Sequence, residues 1–171
     1  MVSGAPRPST DTADKAMAGG REPRRRRALV FPLPFQGHIG PMMHLAGALH
    51  ARGLAVTVLH TRFNALHPAR HPEFRFVEVP DGVPADVAAA GRIIGVIHAM
   101  NAAMEASPAP VRTALASAML AGGDKEAGAA ACLFIDGNLL AVQRVAAGLG
   151  LPTLVLRTGS ARVPARLSLK F

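Results

Sequence analysis

The chain has 171 residues, half of them hydrophobic, which is enough for one ordinary domain and little more. Its formal charge is +8, but residues 28–156 carry eight basic and eight acidic side chains, so the excess lies in residues 1–27 and 157–171. A nucleic-acid-binding module carries its basic residues on a folded face among aromatic side chains. Because the chain has no Trp and no Tyr, we expect no nucleic-acid partner.

Residues 1–27 are expected to form a disordered basic tail. They contain no apolar run of the kind a signal peptide needs. The four arginines at 24–27 fit a solvated tail or a patch for polyanions or nuclear import, and the tail is favoured because short basic runs are unspecific. Asp11, Asp14 and Glu22 count against a plastid transit peptide. Since no segment reaches the ~18 apolar residues of a membrane span, we expect a cytoplasmic protein without one.

The rest of the chain alternates apolar, strand-like runs with helical stretches. This alternation is typical of a mostly parallel sheet with helices on both faces. We predict strands at 28–33, 55–59, 75–79, 130–135 and 152–156, and helices at 38–52, 85–106, 110–120 and 139–147. The predicted fold class is therefore α/β, a Rossmann-like doubly wound parallel sheet. The single Cys132 lies in an apolar run and is expected to be a small buried hydrophobe.

A glycine-flanked histidine follows the first predicted strand. Residues 31–42 read Phe-Pro-Leu-Pro-Phe-Gln-Gly-His-Ile-Gly-Pro-Met, and the next apolar residues have helical spacing. Pro41 falls in the first turn of this helix, where a missing N–H costs nothing. His38 is thus placed beyond a strand end, where open α/β sheets bind their ligands. Neutral imidazole in such a place is a candidate general base.

An aspartate follows the fourth predicted strand. Asp136, like His38, lies just past the carboxyl end of a strand, so the two side chains can share one rim of the sheet. A carboxylate bonded to one ring nitrogen would fix the imidazole tautomer and stabilise the imidazolium that forms. The spacing leaves a second interpretation open, in which Asp136 caps the following helix, since Asp is a preferred N-cap residue.

Four segments of the chain, in this order, carry a family resemblance. They are the segment at 31–42, His-Thr-Arg-Phe-Asn at 60–64, Ala-Cys-Leu-Phe-Ile-Asp at 131–136, and Leu-Pro-Thr-Leu-Val-Leu-Arg-Thr-Gly-Ser-Ala at 151–161. Together they resemble the N-terminal half of plant family 1 UDP-sugar glycosyltransferases, and most of all the cereal glucosyltransferases that act on benzoxazinoids. The resemblance covers residues 28–161 and implies the N-terminal, acceptor-binding, Rossmann-like domain of a GT-B glycosyltransferase.

The resemblance also implies roles for single residues. The histidine of the family's Gln-Gly-His motif deprotonates the acceptor hydroxyl and matches His38. The aspartate that ends the Cys-Leu-x-x-Asp strand pairs with that histidine and matches Asp136. The threonine after the next strand contacts the donor sugar and matches Thr158.

Acceptor contacts are expected from the histidine loop and from the helix near residues 91–104, whose family counterpart helps line the acceptor pocket. The candidates are Gly37, Ile97 and Met100, with Asn64 and Ser160 as polar positions on the rim. An apolar stripe at helical spacing is equally what a helix packed in the core shows, so a core role for Ile97 and Met100 stays open.

The implied reaction is transfer of glucose from UDP-glucose to a hydroxyl of a small plant metabolite, a benzoxazinoid or phenolic, with inversion at the anomeric carbon. The family needs no metal, and the UDP-sugar is a substrate rather than a cofactor. His67 and His71 are four residues apart, but Pro68 disfavours a regular helix there, so we expect no metal site. The chain is expected to be a monomer.

Residues 162–171 do not resemble the family, and the tryptophan-containing signature of its C-terminal UDP-sugar-binding domain has no counterpart in this sequence. We therefore expect the 171 residues to be inactive alone. The alternative is a non-catalytic half-protein that binds small molecules. An unrelated dinucleotide-binding domain is disfavoured, because Gly37-His-Ile-Gly40 lacks the G-x-G-x-x-G spacing that lets the backbone approach a pyrophosphate.

Overall fold

The computed structural model describes Met1, residues 26–120 and residues 131–157. In these residues the strands are β1 (Arg27–Phe31), β2 (Ala55–His60), β3 (Arg75–Glu78), β4 (Ala131–Asp136) and β5 (Thr153–Leu156). They form one parallel sheet in the order β3-β2-β1-β4-β5. The helices are α1 (Gln36–Ala51), α2 (Ala85–Ala90), α3 (Ile93–Ala106), α4 (Ala109–Leu120) and α5 (Leu140–Gly148), with a short 3-10 turn at Pro68–Arg70.

The two faces of the sheet bury separate apolar cores, because successive strand side chains point in opposite directions. On one face, Leu29, Phe31, Leu133 and Ile135 pack with residues of α3, α4 and α5. On the other face, Ala28, Val30, Val56 and Val58 pack against α1 through Ile39, Met42, Met43 and Ala46. Strands covered on both faces read as continuous apolar runs, and this is why β1 could be recognised from its sequence. The predicted α/β class is confirmed.

The order in which strands are added to the sheet reverses between β1 and β4, because β2 and β3 are added on one side of β1 and β4 and β5 on the other. Helix α1 leads from β1 to β2 across one face of the sheet, whereas α5 leads from β4 to β5 across the other face. The two central strands pair in parallel, with Phe31 opposite Ile135. In an open α/β sheet the ligand crevice lies outside the carboxyl ends of the strands at this reversal. The residues that follow β1 and end β4 are therefore brought to the crevice.

Several predicted boundaries were wrong. The single helix expected at 85–106 is two helices, because Gly91 adopts a left-handed backbone (φ +62°) and ends α2. Arg27, assigned to the tail, begins β1, and its guanidinium donates to the carbonyl of Met119 at 2.5 Å. The rest of the expected tails, residues 2–25 and 158–171, lie outside the described residues. Within residues 26–120 and 131–157, no helix is both long and apolar enough to cross a bilayer.

Two glycines allow a matched test of the packing around α3. Gly82 and Gly91 both have a left-handed backbone, at φ +61° and +62°. A Cβ on Gly82 would lie 2.6 Å from Cβ of Ala103, whereas one on Gly91 would meet no atom within 4 Å. We expect Gly91→Ala to lower the free energy of unfolding by ~1 kcal/mol through backbone strain, and Gly82→Ala by ~2–4 kcal/mol because overpacking adds to that strain.

Urea denaturation followed by far-UV circular dichroism measures both losses. Equal losses for the two variants would contradict the close approach of the 80–84 turn to α3.

The environment of Cys132 on β4 gives a second prediction. The residue is partly buried, and burial raises the pKa of its thiol. The thiolate is the reactive form, so near neutral pH the native chain should react with a thiol reagent more slowly than the urea-unfolded chain. The difference between the two reaction rates should become smaller as the pH rises through the raised pKa of the native thiol. Native and unfolded chains reacting at equal rates near neutral pH would contradict this.

Candidate active site

His38 lies in the first turn of α1, just beyond the end of β1. Phe35 precedes the helix with an extended backbone (φ −130°, ψ 143°), and its carbonyl accepts the backbone N–H of His38 at 2.8 Å. The side chain of His38 is 24% exposed. The helix therefore begins two residues earlier than predicted, and the imidazole stays partly open to solvent at the carboxyl edge of the sheet.

Asp136 is the last residue of β4, and its side chain is buried. Its Oδ2 lies 2.7 Å from Nδ1 of His38, although the two residues are 98 positions apart. Its Oδ1 accepts the backbone N–H of Asn138 at 3.0 Å and the side-chain Nδ2 of Asn138 at 3.0 Å. A buried carboxylate needs such donors, since burying it without hydrogen bonds would cost several kcal/mol. Both oxygens are thus fixed by specific partners.

The structure also bears on the second interpretation of Asp136, as a helix cap. Leu139 precedes α5 without a side-chain cap. The backbone N–H of Ala141, in the first turn of α5, instead donates to Oδ1 of Asn101, a residue of α3, at 2.9 Å. Asp136 therefore holds the turn before α5 and contacts His38, while Asn101 caps the helix.

The pair is arranged for proton transfer at one ring nitrogen. A hydrogen on Nδ1 that is donated to Asp136 places the imidazole lone pair on Nε2. That is the atom able to take a proton from a bound hydroxyl. A carboxylate on the far side of the ring then stabilises the imidazolium that results.

Phe35 and Phe63 form an aromatic wall, of which the Phe35 ring lies beside His38. The ring of Phe35 meets those of His38 and Phe63 edge to face, at centroid distances of 6.5 and 5.7 Å. Asp81 holds this wall in place, because it accepts the backbone N–H groups of Phe63 at 2.9 Å and Val83 at 3.0 Å. The loops after β1, β2 and β3 thereby meet at one edge. Sequence reasoning missed this wall, although its signal was an aromatic residue shortly after two neighbouring strands.

The predicted acceptor residues occupy different environments. Gly37 is exposed in the first turn of α1, and a Cβ there would meet no atom within 4 Å. Ile97 is partly buried at the edge of the core. Met100 is fully buried in that core, so an acceptor contact at this residue would require the core to open. Thr158 and Ser160 lie outside the described residues.

Besides the crevice at the carboxyl ends of β1 and β4, a second groove, of about 510 Å³, lies between α1 and residues 64–71. His44, Asn64, His67 and His71 are among its lining residues. At 100° per helical residue, its lining residues on α1 are centred on the face turned away from His38; they are Gln36, Ile39, Gly40, Met43 and His44. Asn64, a predicted rim residue, donates to the carbonyl of Pro34 at 2.8 Å. Within the described parts of the chain, no three His, Cys, Asp or Glu side chains are grouped to hold a metal ion.

Curated proteins similar to this chain are plant sugar transferases. The chain is 46% identical over 141 residues to DIMBOA UDP-glucosyltransferase BX8 of Zea mays, 42% over 147 residues to BX9 of the same plant, and 36% over 138 residues to UDP-glycosyltransferase 76E1 of Solanum lycopersicum. These matches cover 79%, 85% and 81% of this chain but only 30%, 29% and 27% of the relatives. The chain thus spans less than a third of their length. No protein-family model matches it.

Solved structures with the same fold include glycosyltransferases that each match about four-fifths of this chain. Os79 from O. sativa, in complex with U2F and trichothecene, aligns with a TM-score of 0.57 and 24% identity, over 78% of this chain and 30% of that one. UGT71G1 of Medicago truncatula, complexed with UDP-glucose, aligns with a TM-score of 0.55 and 15% identity, over 80% and 30%. At these identities the likeness concerns the fold, and the predicted N-terminal part of a GT-B glycosyltransferase is confirmed.

The buried contacts of Asp136 predict a large loss of stability on its removal. Asp136→Ala leaves the donors on His38 and Asn138 without their acceptor, so we expect the free energy of unfolding to fall by ~2–4 kcal/mol. Asp86→Ala is the matched control, because this exposed aspartate lies in the first turn of α2 and its loss should change stability by less than ~0.5 kcal/mol. Urea denaturation measures both, and equal effects would contradict the described contacts.

Proposed function

Because this chain belongs to the plant UDP-glycosyltransferases, we propose that it supplies the acceptor-binding part of an enzyme that transfers glucose from UDP-glucose to a hydroxyl of a small plant metabolite. The observation that carries the proposal is the 2.7 Å contact between His38 Nδ1 and Asp136 Oδ2 at the carboxyl edge of the sheet. Fold and family alone would not assign a base, since function depends on the residues of the site.

The proposed reaction is a direct displacement at the anomeric carbon. Nε2 of His38 takes the acceptor proton while the acceptor oxygen forms a bond to that carbon. The bond between the carbon and the phosphate oxygen of UDP breaks, and UDP leaves with the electron pair. Attack from the face opposite UDP inverts the anomeric centre. Asp136 keeps the hydrogen on Nδ1 and stabilises the imidazolium, and no cofactor is assigned besides the UDP-sugar, which is a substrate.

The aromatic wall supports a flat acceptor. The rings of Phe35 and Phe63 are only partly buried, the Phe35 ring lies 6.5 Å from that of His38, and aromatic rings pair favourably with other rings in edge-to-face or offset geometry. A phenolic or benzoxazinoid acceptor could lie against them with its hydroxyl at Nε2. The names of two relatives, which specify DIMBOA as the acceptor, agree with this choice. Gly37 and Ile97 are the proposed further acceptor contacts, and Thr158 is the proposed contact to the donor sugar.

A chimera with the maize relative BX8 tests the proposal. Residues 28–157 of this chain would replace the matching segment of that enzyme, and transfer of labelled glucose to DIMBOA or a phenolic acceptor would be measured. We expect the chimera to transfer glucose. His38→Ala should lower kcat/KM by about 10²–10⁴, the usual contribution of a general base.

His44→Ala is the matched control, because His44 lies on the same helix but faces the second groove. It should change kcat/KM by less than about twofold, as expected of a side chain outside the reacting groups. A folded His38→Ala chimera that keeps its activity would contradict the proposed base. A folded chimera without transfer, together with acceptor binding to the 171-residue chain by calorimetry, would instead favour the non-catalytic binding half-protein.

The 171 residues by themselves are expected to transfer glucose negligibly, because they span about 30% of the relatives' length and Thr158 is the single contact proposed to the donor sugar. The same labelled assay on the isolated chain checks this. Turnover by the isolated chain at a rate comparable with the chimera's would contradict it.

A further inference from the structure

We propose that Asn101 of α3 is a positioning residue for the His38–Asp136 pair, acting through the turn that follows β4. The proposal rests on the proposed role of His38 as the base, because it concerns the geometry that this role requires. The effect of Asn101 passes to His38 through Asn138 and Asp136.

The side chain of Asn101 joins α3 to the start of α5. Its Nδ2 donates to the carbonyl of Asn138 at 2.8 Å and to that of Ile97, one turn earlier on α3, at 2.9 Å. Its Oδ1 accepts the backbone N–H of Ala141 at 2.9 Å. The amide therefore uses its donor and its acceptor together, and among uncharged side chains only Asn and Gln carry both groups on one planar amide.

The turn held by Asn101 is the one that fixes Asp136. Asn138, whose carbonyl Asn101 binds, donates from both its backbone and its side chain to Oδ1 of Asp136. The other carboxylate oxygen of Asp136 contacts His38. A continuous series of hydrogen bonds thus runs from α3 to the imidazole. Because Asp136 ends its strand, the direction of its carboxylate depends on the turn as well as on the sheet.

The location of Asn101 argues for a specific purpose. Asn is a poor residue for a helix interior, and Asn101 is flanked on α3 by the buried Met100 and Met104. Its contacts with Asn138 and Ala141 are long-range, at 37 and 40 positions. Ile97, a proposed acceptor contact, shares the same anchor through its carbonyl. The helix that lines the proposed acceptor site and the carboxylate that orients the base are therefore tied to one amide.

A purely structural role would consist of docking α3 against α5, and the chain offers a control for it. The exposed side chains of Arg144 on α5 and Glu105 on α3 form an ion pair between the same two helices. Glu105→Gln removes this ion pair and leaves at most a neutral hydrogen bond, without touching the turn after β4. This variant therefore shows the effect of weakening the contact between the two helices while the contact between Asn101 and Asn138 is kept.

The experiment measures the tautomer of the His38 ring in the 171-residue chain by long-range proton–nitrogen correlation NMR, at a pH where the ring is neutral. The signals are assigned by their loss in His38→Gln. We expect the Nδ1–H form to dominate in the unmodified chain. Asn101→Asp keeps an acceptor for Ala141 but loses the donor to Asn138, and Asn101→Ala loses both without adding charge. In each, the ratio of Nδ1–H to Nε2–H should fall at least about fivefold, while Glu105→Gln leaves it unchanged.

Thermal unfolding of each variant confirms that the tautomer ratio is measured in the folded state. If Asn101→Ala does not fold, the ratio in Asn101→Asp tests the proposal. An unchanged ratio in a folded Asn101 variant would overturn the proposal. So would an equal shift in Glu105→Gln, which would assign the effect to helix docking. The tautomer ratio is measured without substrate and is therefore independent of the transfer assay. Either test can support its own proposal while the other one fails.

Discussion

The structure depends on how one buried carboxylate is satisfied. Asp136 ends a central strand with its side chain out of solvent, where a carboxylate without hydrogen bonds would be strongly destabilising. Its partners come from both directions along the chain: the imidazole of His38 on one oxygen, and the turn at Asn138 on the other. The requirement for hydrogen bonds thus fixes the His38 ring, the turn and the end of β4 relative to one another.

The fold makes this arrangement possible because the two residues follow adjacent parallel strands. Pairing of β1 with β4 brings their carboxyl ends to the same edge, and the reversal of strand order between them opens that edge to a ligand. Both side chains stand on or next to regular elements, and such elements hold a site more precisely than loops do. The loops after β1 and β2 add Phe35 and Phe63. The loop after β3 adds Asp81, whose carboxylate accepts the backbone N–H of Phe63 and so fixes that residue.

Much of the fold could be predicted from the sequence, because continuous apolar runs mark buried parallel strands. The break at Gly91 was missed because the alanine-rich pattern continues through it, and only the backbone shows that this glycine is left-handed. The pair of His38 and Asp136 followed from strand ends, but spacing could not decide between pairing and capping. Asn101 was missed because its partners Asn138 and Ala141 lie 37 and 40 positions away, and such contacts leave no local pattern.

A crystal structure of this chain bound to a phenolic acceptor would test whether His38 receives the acceptor proton. We expect the acceptor hydroxyl at hydrogen-bonding distance, about 3 Å, from Nε2 of His38, with the acceptor ring against Phe35 and Phe63. An acceptor bound only in the groove lined by His44 and His67, on the opposite face of α1, with its hydroxyl out of reach of His38, would contradict it.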